Sequence, residues 1–245
     1  MSTSTPTLTE SHPGGLRLLR GGDGSLGVAV SFTDRNGGVS EPPFDSLNLA
    51  ARGGDDPAAV AQNRARVASA ASFELDALRL AKQIHGADVL EVSRNDAVVA
   101  GEADVLVTGK RGLTIAILTA DCTPVVLAGE GRVAVAHAGW RGLVAGAVEA
   151  AVAAVGDVKA AWVGPCIHAC CYEVGPEVVA AFRDKGFPIA AADRVDPGRA
   201  AVVALRRCGV EHIASSTDCT SCDARYFSYR RDGLTGRQGA FVTLL

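Results

Sequence analysis

The sequence predicts an α+β fold in a single domain, and three observations predict it. Short apolar runs rich in branched residues, such as LTIAILT at 113–119 and RVAVAHA at 132–138, have the length and composition of buried strands. Longer stretches, AAVAQNRARVASAA from Ala58 and WRGLVAGAVEAAVAAVG from Trp140, carry apolar residues at helical spacing. No repeat, internal linker or shift of composition marks a second domain, and 245 residues at 48% hydrophobic content suit one large unit.

Taken in order, residues 1–15 are rich in Ser, Thr, Pro and Gly and read as a disordered leader without the basic start and apolar centre of a secretory signal; residues 16–245 form the domain. Leu26 to Thr33 reads as a strand. TDRNGGVSEPPFDSLNLA, at 33–50, has turn signals throughout, and Phe44, Leu47 and Leu49 should pin it as a loop that aims Arg35 and Asn48. Asp56 as cap and Pro57 at the first helical position start a helix that ends near Ser72. Leu78 to His85 reads as extended, with Gln83 and His85 two residues apart on one side. Ala103 to Thr108 is a short strand. PVVLA and RVAVAHA flank Gly129-Glu130-Gly131 as a hairpin, and the helix from Trp140 ends on Gly156. A strand at Lys159 to Gly164, helices from Pro176 to Lys185 and Pro197 to Cys208, and a strand at Val210 to Ala214 follow. The C-terminal ARYFSYRRDGLTGRQGAFVTLL reads as an aromatic strand, a turn at Asp232-Gly233 and a last strand.

Composition narrows function by exclusion. A net charge of −3 with scattered basic residues gives no track for nucleic acid, and no apolar run reaches the roughly 20 residues that span a bilayer. A cytoplasmic location follows as the default. Seven cysteines are an odd number and too sparse for a disulfide scaffold, so reduced thiols are expected.

The polar groups with chemistry lie where the apolar pattern stops. A closed hairpin brings Cys122, with Asp121 beside it, and His137 near one edge of a sheet. Of the five histidines, His12 and His212 suit surface or packing roles, which leaves His85, His137 and His168. One thiolate with two imidazoles leaves a fourth tetrahedral position open for water, the arrangement of a catalytic zinc, whose water ionises near pH ~7. Asp121 would then orient that water or move a proton. Without a metal, Cys122 activated by His137 could instead be a nucleophile. Arg141, in the first turn of a helix where a cation is unwelcome, hints at an anionic partner. Cys166, Cys170 and Cys171 could combine with the Cys219-x2-Cys222 pair into one four-thiolate site, but small buried hydrophobes fit them better, and Cys219 and Cys222 are expected to be structural thiols.

KQIHGADV, ADVLVTG, LTADCTPVVL, VAHAGWRGL, GPCI followed by CCYEVG, and FSYRRDGLTGR together resemble the polyphenol-oxidase or laccase-domain family, whose members are also described as purine nucleoside phosphorylases with adenosine deaminase activity. DRNGGVS and SLNL fit its Arg-Gly-Gly and Ser-Leu-Asn-Leu segments, with Asp34-Arg35-Asn36 where Thr-Arg is commoner. The resemblance implies mixed β-sheets packed as a sandwich with helices on the outer faces. It implies zinc held by His85, Cys122 and His137. It also implies phosphorolysis of adenosine, inosine or methylthioadenosine and deamination of adenosine. Arg35, Asn48, Gln83, Arg141 and Arg230 are the expected contacts to nucleoside and phosphate, with Arg231 a further candidate for phosphate; oligomeric state is left open. Relatives are also described as editing hydrolases for cell-wall precursors, which would use the same Cys-His pair. Copper fits poorly: a multicopper centre needs more imidazoles than five, and the one Met is the initiator. His168 stands where the family more often has a small residue and is left out of the metal set.

Overall fold

The computed structural model describes residues 5–245. β1 (Thr9–Ser11), β2 (Leu18–Asp23) and β3 (Val28–Thr33) form an antiparallel meander. After a long loop come α1 (Pro57–Ala71), β4 (Leu78–Lys82), β5 (Val89–Glu91), β6 (Val99–Glu102) and β7 (Val105–Thr108). β8 (Thr114–Thr119), β9 (Thr123–Gly129) and β10 (Arg132–Ala138) lead into α2 (Trp140–Ala145), α3 (Ala147–Val155) and β11 (Val158–Val163). The chain closes with α4 (Pro176–Asp184), the ribbon β12 (Ile189–Ala191) and β13 (Arg194–Val195), and α5 (Pro197–Arg207). After these come β14 (Ile213–Ser215), the single turn α6 (Tyr229–Asp232) and β15 (Gln238–Leu244).

Thirteen of these strands make two mixed sheets, ordered β1-β2-β3-β15-β8-β4-β6 and β14-β11-β9-β10-β7-β5. Side-chain alternation explains how they stack. Along β9, Val126 and Ala128 face one way and meet Val30, Ile115, Ile117 and Val242 of the larger sheet. Val125 and Leu127 face the other way and pack under Leu143, Val148, Val178 and Leu205 of the helices α2 to α5. The outer face of the larger sheet is covered by Val67, Ala70 and Ala71 of α1. The expected sandwich with helices outside is therefore the architecture, and β9, buried on both faces, reads as an unbroken apolar run for that reason.

Local chemistry sets the element ends. The Asp56 carboxylate accepts the Ala58 amide at the start of α1, and Ser72 ends it in the left-handed region at φ 61°. The 33–50 loop is pinned as expected, with Phe44, Leu47 and Leu49 buried. Five expectations change. Thr9–Ser11, assigned to the disordered leader, pairs with β2, and Leu8 packs against the core between the sheets; residues 1–4 of that leader lie outside the described residues. The long helix after His137 is two helices, because Gly146 takes φ 95° between them. The extended segment expected to reach His85 stops at Lys82, and His85 itself has φ 62°. The strand expected at 210–214 is Ile213–Ser215. ARYFSYRR is not a strand: the Arg231 guanidinium donates to the carbonyls of Thr220 and Tyr226, at 3.0 and 2.7 Å, taking the place of a neighbouring strand.

Candidate active site

β8 belongs to one sheet and β9 to the next, so the chain crosses between layers at residues 120–122. Cys122 sits at this crossing. The hairpin register places His137 opposite Pro124 and Ala138 opposite Thr123, which brings the imidazole to the same edge as the thiol. His85 reaches them from the turn after β4. The donor atoms of His85, Cys122 and His137 lie within 4.8 Å of one another, close enough for small rotations to bring all three onto one ion.

A residue that the spacing argument passed over holds this set in place. Asp104, fully buried, accepts His137 Nδ1 at 2.7 Å. It also accepts the amides of Ile84, His85 and Gly86, at 3.1, 3.0 and 2.7 Å. Three amides on one carboxylate stabilise the left-handed backbone at His85, a conformation that a residue with a Cβ rarely takes. The same carboxylate fixes the His137 ring so that Nε2 is the free nitrogen, the arrangement that metal-bound imidazoles use. A charged residue immediately before VLVT, a run that reads as a buried strand, was the available signal for Asp104, because a carboxylate there must be buried and must have partners.

Without an ion, Cys122 and His137 stabilise each other's charged forms. Burial pushes the Cys122 thiol up, but the facing rings of His137 and His85 outweigh it and hold the thiol low. Burial pulls His137 down, yet Cys122 and Asp104 together hold it high. Gly139 packs tightly beside them: a Cβ there would lie 3.0 Å from Cys122 Sγ, so the thiol would have to give way by a few tenths of an ångström.

The three donors open onto a cavity of about 620 Å³, lined on its apolar side by Leu80, Val99, Leu118 and Ala120, with Tyr229 at 64% exposure on its margin. Of the expected substrate residues only Gln83 lines it, and its amide is paired in both directions with the Leu118 backbone at 2.8 Å. Arg35 donates to the Asp45 carbonyl and pairs with the Asp45 carboxylate. Arg141 lies over the Trp140 ring at 4.4 Å, and Arg230 over Tyr172 at 5.1 Å. None of these three borders the cavity. Asn48 is buried and bonds Asp55, Ala50 and the Arg237 amide, so it organises the loop. Both oxygens of Asp121 are engaged, one by the Thr220 hydroxyl and one by the Arg230 amide, each at 2.7 Å, and Asp121 does not line the cavity. Asp121, at φ 91°, fixes the turn that leads into Cys122, and each of its oxygens already accepts one hydrogen bond.

Three arginines that sequence reasoning did not select do line the cavity: Arg52, which is exposed, and Arg64 and Arg237, which are partly buried. Arg64 donates twice to the Leu49 carbonyl, at 2.9 and 2.7 Å, and Arg237 donates to the carbonyls of Thr235 and Gly236, both at 2.8 Å. Burial holds both guanidiniums below their usual range. A desolvated guanidinium bonded only to carbonyls has capacity left for an anion. Arg64 was hidden on the polar side of a helix, and Arg237 in a Gly-Arg-Gln turn.

Residues 29–245 match the family model described as multi-copper polyphenol oxidoreductase laccase. Among similar proteins, a purine nucleoside phosphorylase of Streptomyces coelicolor is 42% identical over 236 residues, covering 89% of this chain and 96% of that one. The purine nucleoside phosphorylase YfiH of Escherichia coli is 39% identical over 89% of this chain and 95% of its own. Among solved structures, Bacillus licheniformis hypothetical protein YfiH aligns with a TM-score of 0.86 at 30% identity, covering 96% and 97% of the two chains. YlmD from Geobacillus stearothermophilus aligns with 0.83 at 33% identity, covering 91% and 95%. No helix among the described residues is long and apolar enough to cross a membrane.

Proposed function

The chain belongs to the multi-copper polyphenol oxidoreductase laccase family, and from that premise we propose that it is a zinc-dependent purine nucleoside phosphorylase that also deaminates adenosine. The observation that carries this reading is a His-Cys-His donor set at the floor of a nucleoside-sized cavity that two desolvated arginines also line. The relatives named purine nucleoside phosphorylase support the substrate class.

The donor set fits zinc and does not fit a multicopper centre. One soft thiolate and two imidazoles, one of them braced by a buried carboxylate, suit a three-ligand site with an open position. Three further histidines remain in the sequence, and none of them joins this set. When bound, zinc supplies a Lewis acid that lets water ionise near neutral pH. The chain's own residues do the rest. Arg64 and Arg237 hold phosphate where it can attack C1′ of the ribose as the bond to the base nitrogen breaks. Tyr229 offers a ring face for the purine, and the apolar wall excludes water from the reacting carbon. In deamination, water replaces the amine at C6 and ammonia leaves; no phosphate is needed. Methylthioadenosine is accommodated by the same apolar wall.

The test is incubation with adenosine, inosine or methylthioadenosine, each with and without phosphate. Phosphate-dependent release of free base with ribose 1-phosphate or its methylthio analogue, and phosphate-independent inosine from adenosine, are expected. Release of neither base nor inosine overturns the reading. The cell-wall precursor alternative rests on the low-lying Cys122 thiol facing His137, which also suits attack on an acyl or amide carbon; hydrolysis of precursor with nucleosides untouched would select it.

A further inference from the structure

We propose that Cys170, Cys171, Cys219 and Cys222 form a second metal site, a closed four-thiolate zinc clip that is structural and distinct from the His-Cys-His centre. The four sulfurs lie within 4.8 Å of one another, although they come from two loops some fifty residues apart in sequence. Cys222 Sγ is 3.3 Å from that of Cys170 and 3.0 Å from that of Cys171. A tetrahedron with Zn–S bonds of about 2.3 Å has edges of about 3.8 Å, so the two close pairs would open by less than 1 Å around an ion while the whole group stays within its present span.

The backbone around the cluster is arranged for thiolates. Cys219 Sγ accepts the amide of His168 at 3.4 Å. An amide turned onto the first sulfur of a Cys-x2-Cys pair stabilises a charged sulfur. Four thiolates around one zinc carry a net double negative charge, and a guanidinium stands behind each loop. Arg194 donates to the Cys170 carbonyl at 3.0 Å, and Arg231 to the carbonyls of Thr220 and Ser221 at 3.0 and 3.3 Å.

The expectation of small buried hydrophobes fits Cys166 and Cys219, which are buried, but not Cys170 and Cys222, which are exposed. A disulfide accounts for the cluster less well. It would join Cys222 to one neighbour, leave the other at equal reach without a role, and make no use of the amide on Cys219.

The clip ties two loops that otherwise share little regular structure, an isolated bridge between Cys166 and Cys219 and the Thr220 amide on the Cys166 carbonyl at 3.0 Å. Thr220, between two of the ligands, carries the hydroxyl that fixes Asp121. The second site thereby braces the turn that presents Cys122.

The test is metal analysis of the full chain purified without added metal, beside the Cys219→Ser/Cys222→Ser double variant and Cys122→Ala. Two zinc ions per wild-type chain and one in each variant are expected. Cobalt-loaded protein should show the intense visible bands of a tetrathiolate ion in wild type and Cys122→Ala, and lose them in the double variant. Should the double variant fail to fold, alkylation of the wild type decides: the four thiols should be protected together until a chelator is added. One zinc that vanishes with Cys122→Ala and persists in the double variant, a Cys171–Cys222 disulfide in freshly isolated protein, or free alkylation of the four thiols would each overturn the proposal. One zinc that survives Cys122→Ala and is lost in the double variant would support it while removing zinc from the first site.

Discussion

Two sulfur-containing clusters meet through Asp121, and they are made of different material. Cys122 and His137 hang from the ends of strands whose positions are fixed by ladder hydrogen bonds, and His85 from a turn that the buried carboxylate behind the His137 imidazole also holds. Cys170, Cys171, Cys219 and Cys222 hang from loops, with guanidiniums behind their carbonyls. The first has three donors and a cavity in front of it; the second has four donors, and none of its cysteines lines that cavity. The difference teaches that donor number and adjacent space together separate chemistry from scaffolding, since three donors leave a position for substrate and four do not.

The sharpest way to break this contrast is His137→Ala. Turnover of adenosine should fall below detection while metal content drops by one ion per chain, measured on the same preparation. Unchanged turnover would mean that the strand-end cluster is not the reacting centre.

Asp104→Asn tests whether the carboxylate behind the imidazole matters as much as the donors. Metal affinity at the first site should fall roughly 10–100-fold, with the four-thiolate site unaffected, in a competition titration with a chromophoric chelator. Equal affinity in both proteins would reduce Asp104 to a turn former.

Arg237→Ala should raise the phosphate requirement about ten- to a hundred-fold, the loss of a charge-assisted pair of about 1.5–3 kcal/mol, and largely spare adenosine deamination. Arg141→Ala, whose guanidinium lies on Trp140, should move neither rate. Reversal of that ranking would put the anion at the start of α2 after all.

The smallest effect is expected at the link between the clusters. Thr220→Val leaves one oxygen of a buried carboxylate unpaired and should cost about 1–3 kcal/mol of stability in denaturant titration, with both metals retained. Loss of zinc from either site in this variant would mean that the clusters are one cooperative unit.

Much of this architecture was readable in the residues. The β9–β10 hairpin followed from a Gly-Glu-Gly turn between apolar runs, and α1 from Asp56-Pro57, because each is decided by neighbours in sequence. Asp104 left one signal, a carboxylate heading a buried strand; Arg64 was not readable, since its significance comes from what the fold places opposite it. The same holds for Asn48 and Arg35, which were expected to meet substrate and instead bond the loop to itself. The stretch from Trp140 to Gly156 reads as one helix, although the left-handed backbone at Gly146 ends α2. The aromatic C-terminal segment has strand composition, but Arg231 captures the Tyr226 carbonyl and the Gln238 amide pairs both ways with the Phe227 backbone, interactions with no signature in periodicity.

The crossing of the chain from one sheet to the other at residues 120–122 has a consequence for how such a protein can change. The His-Cys-His donors stand at the boundary between the layers, so the cavity walls at 50–52, Val99 and Tyr229 belong to neither sheet's facing interior. Substitutions there can reshape what the pocket accepts without disturbing the packed layers, whereas a variant at Gly139 or Asp104 disturbs donors and scaffold at once. Directed selection for new nucleosides should therefore accumulate changes along that outer wall and leave the crossing itself untouched.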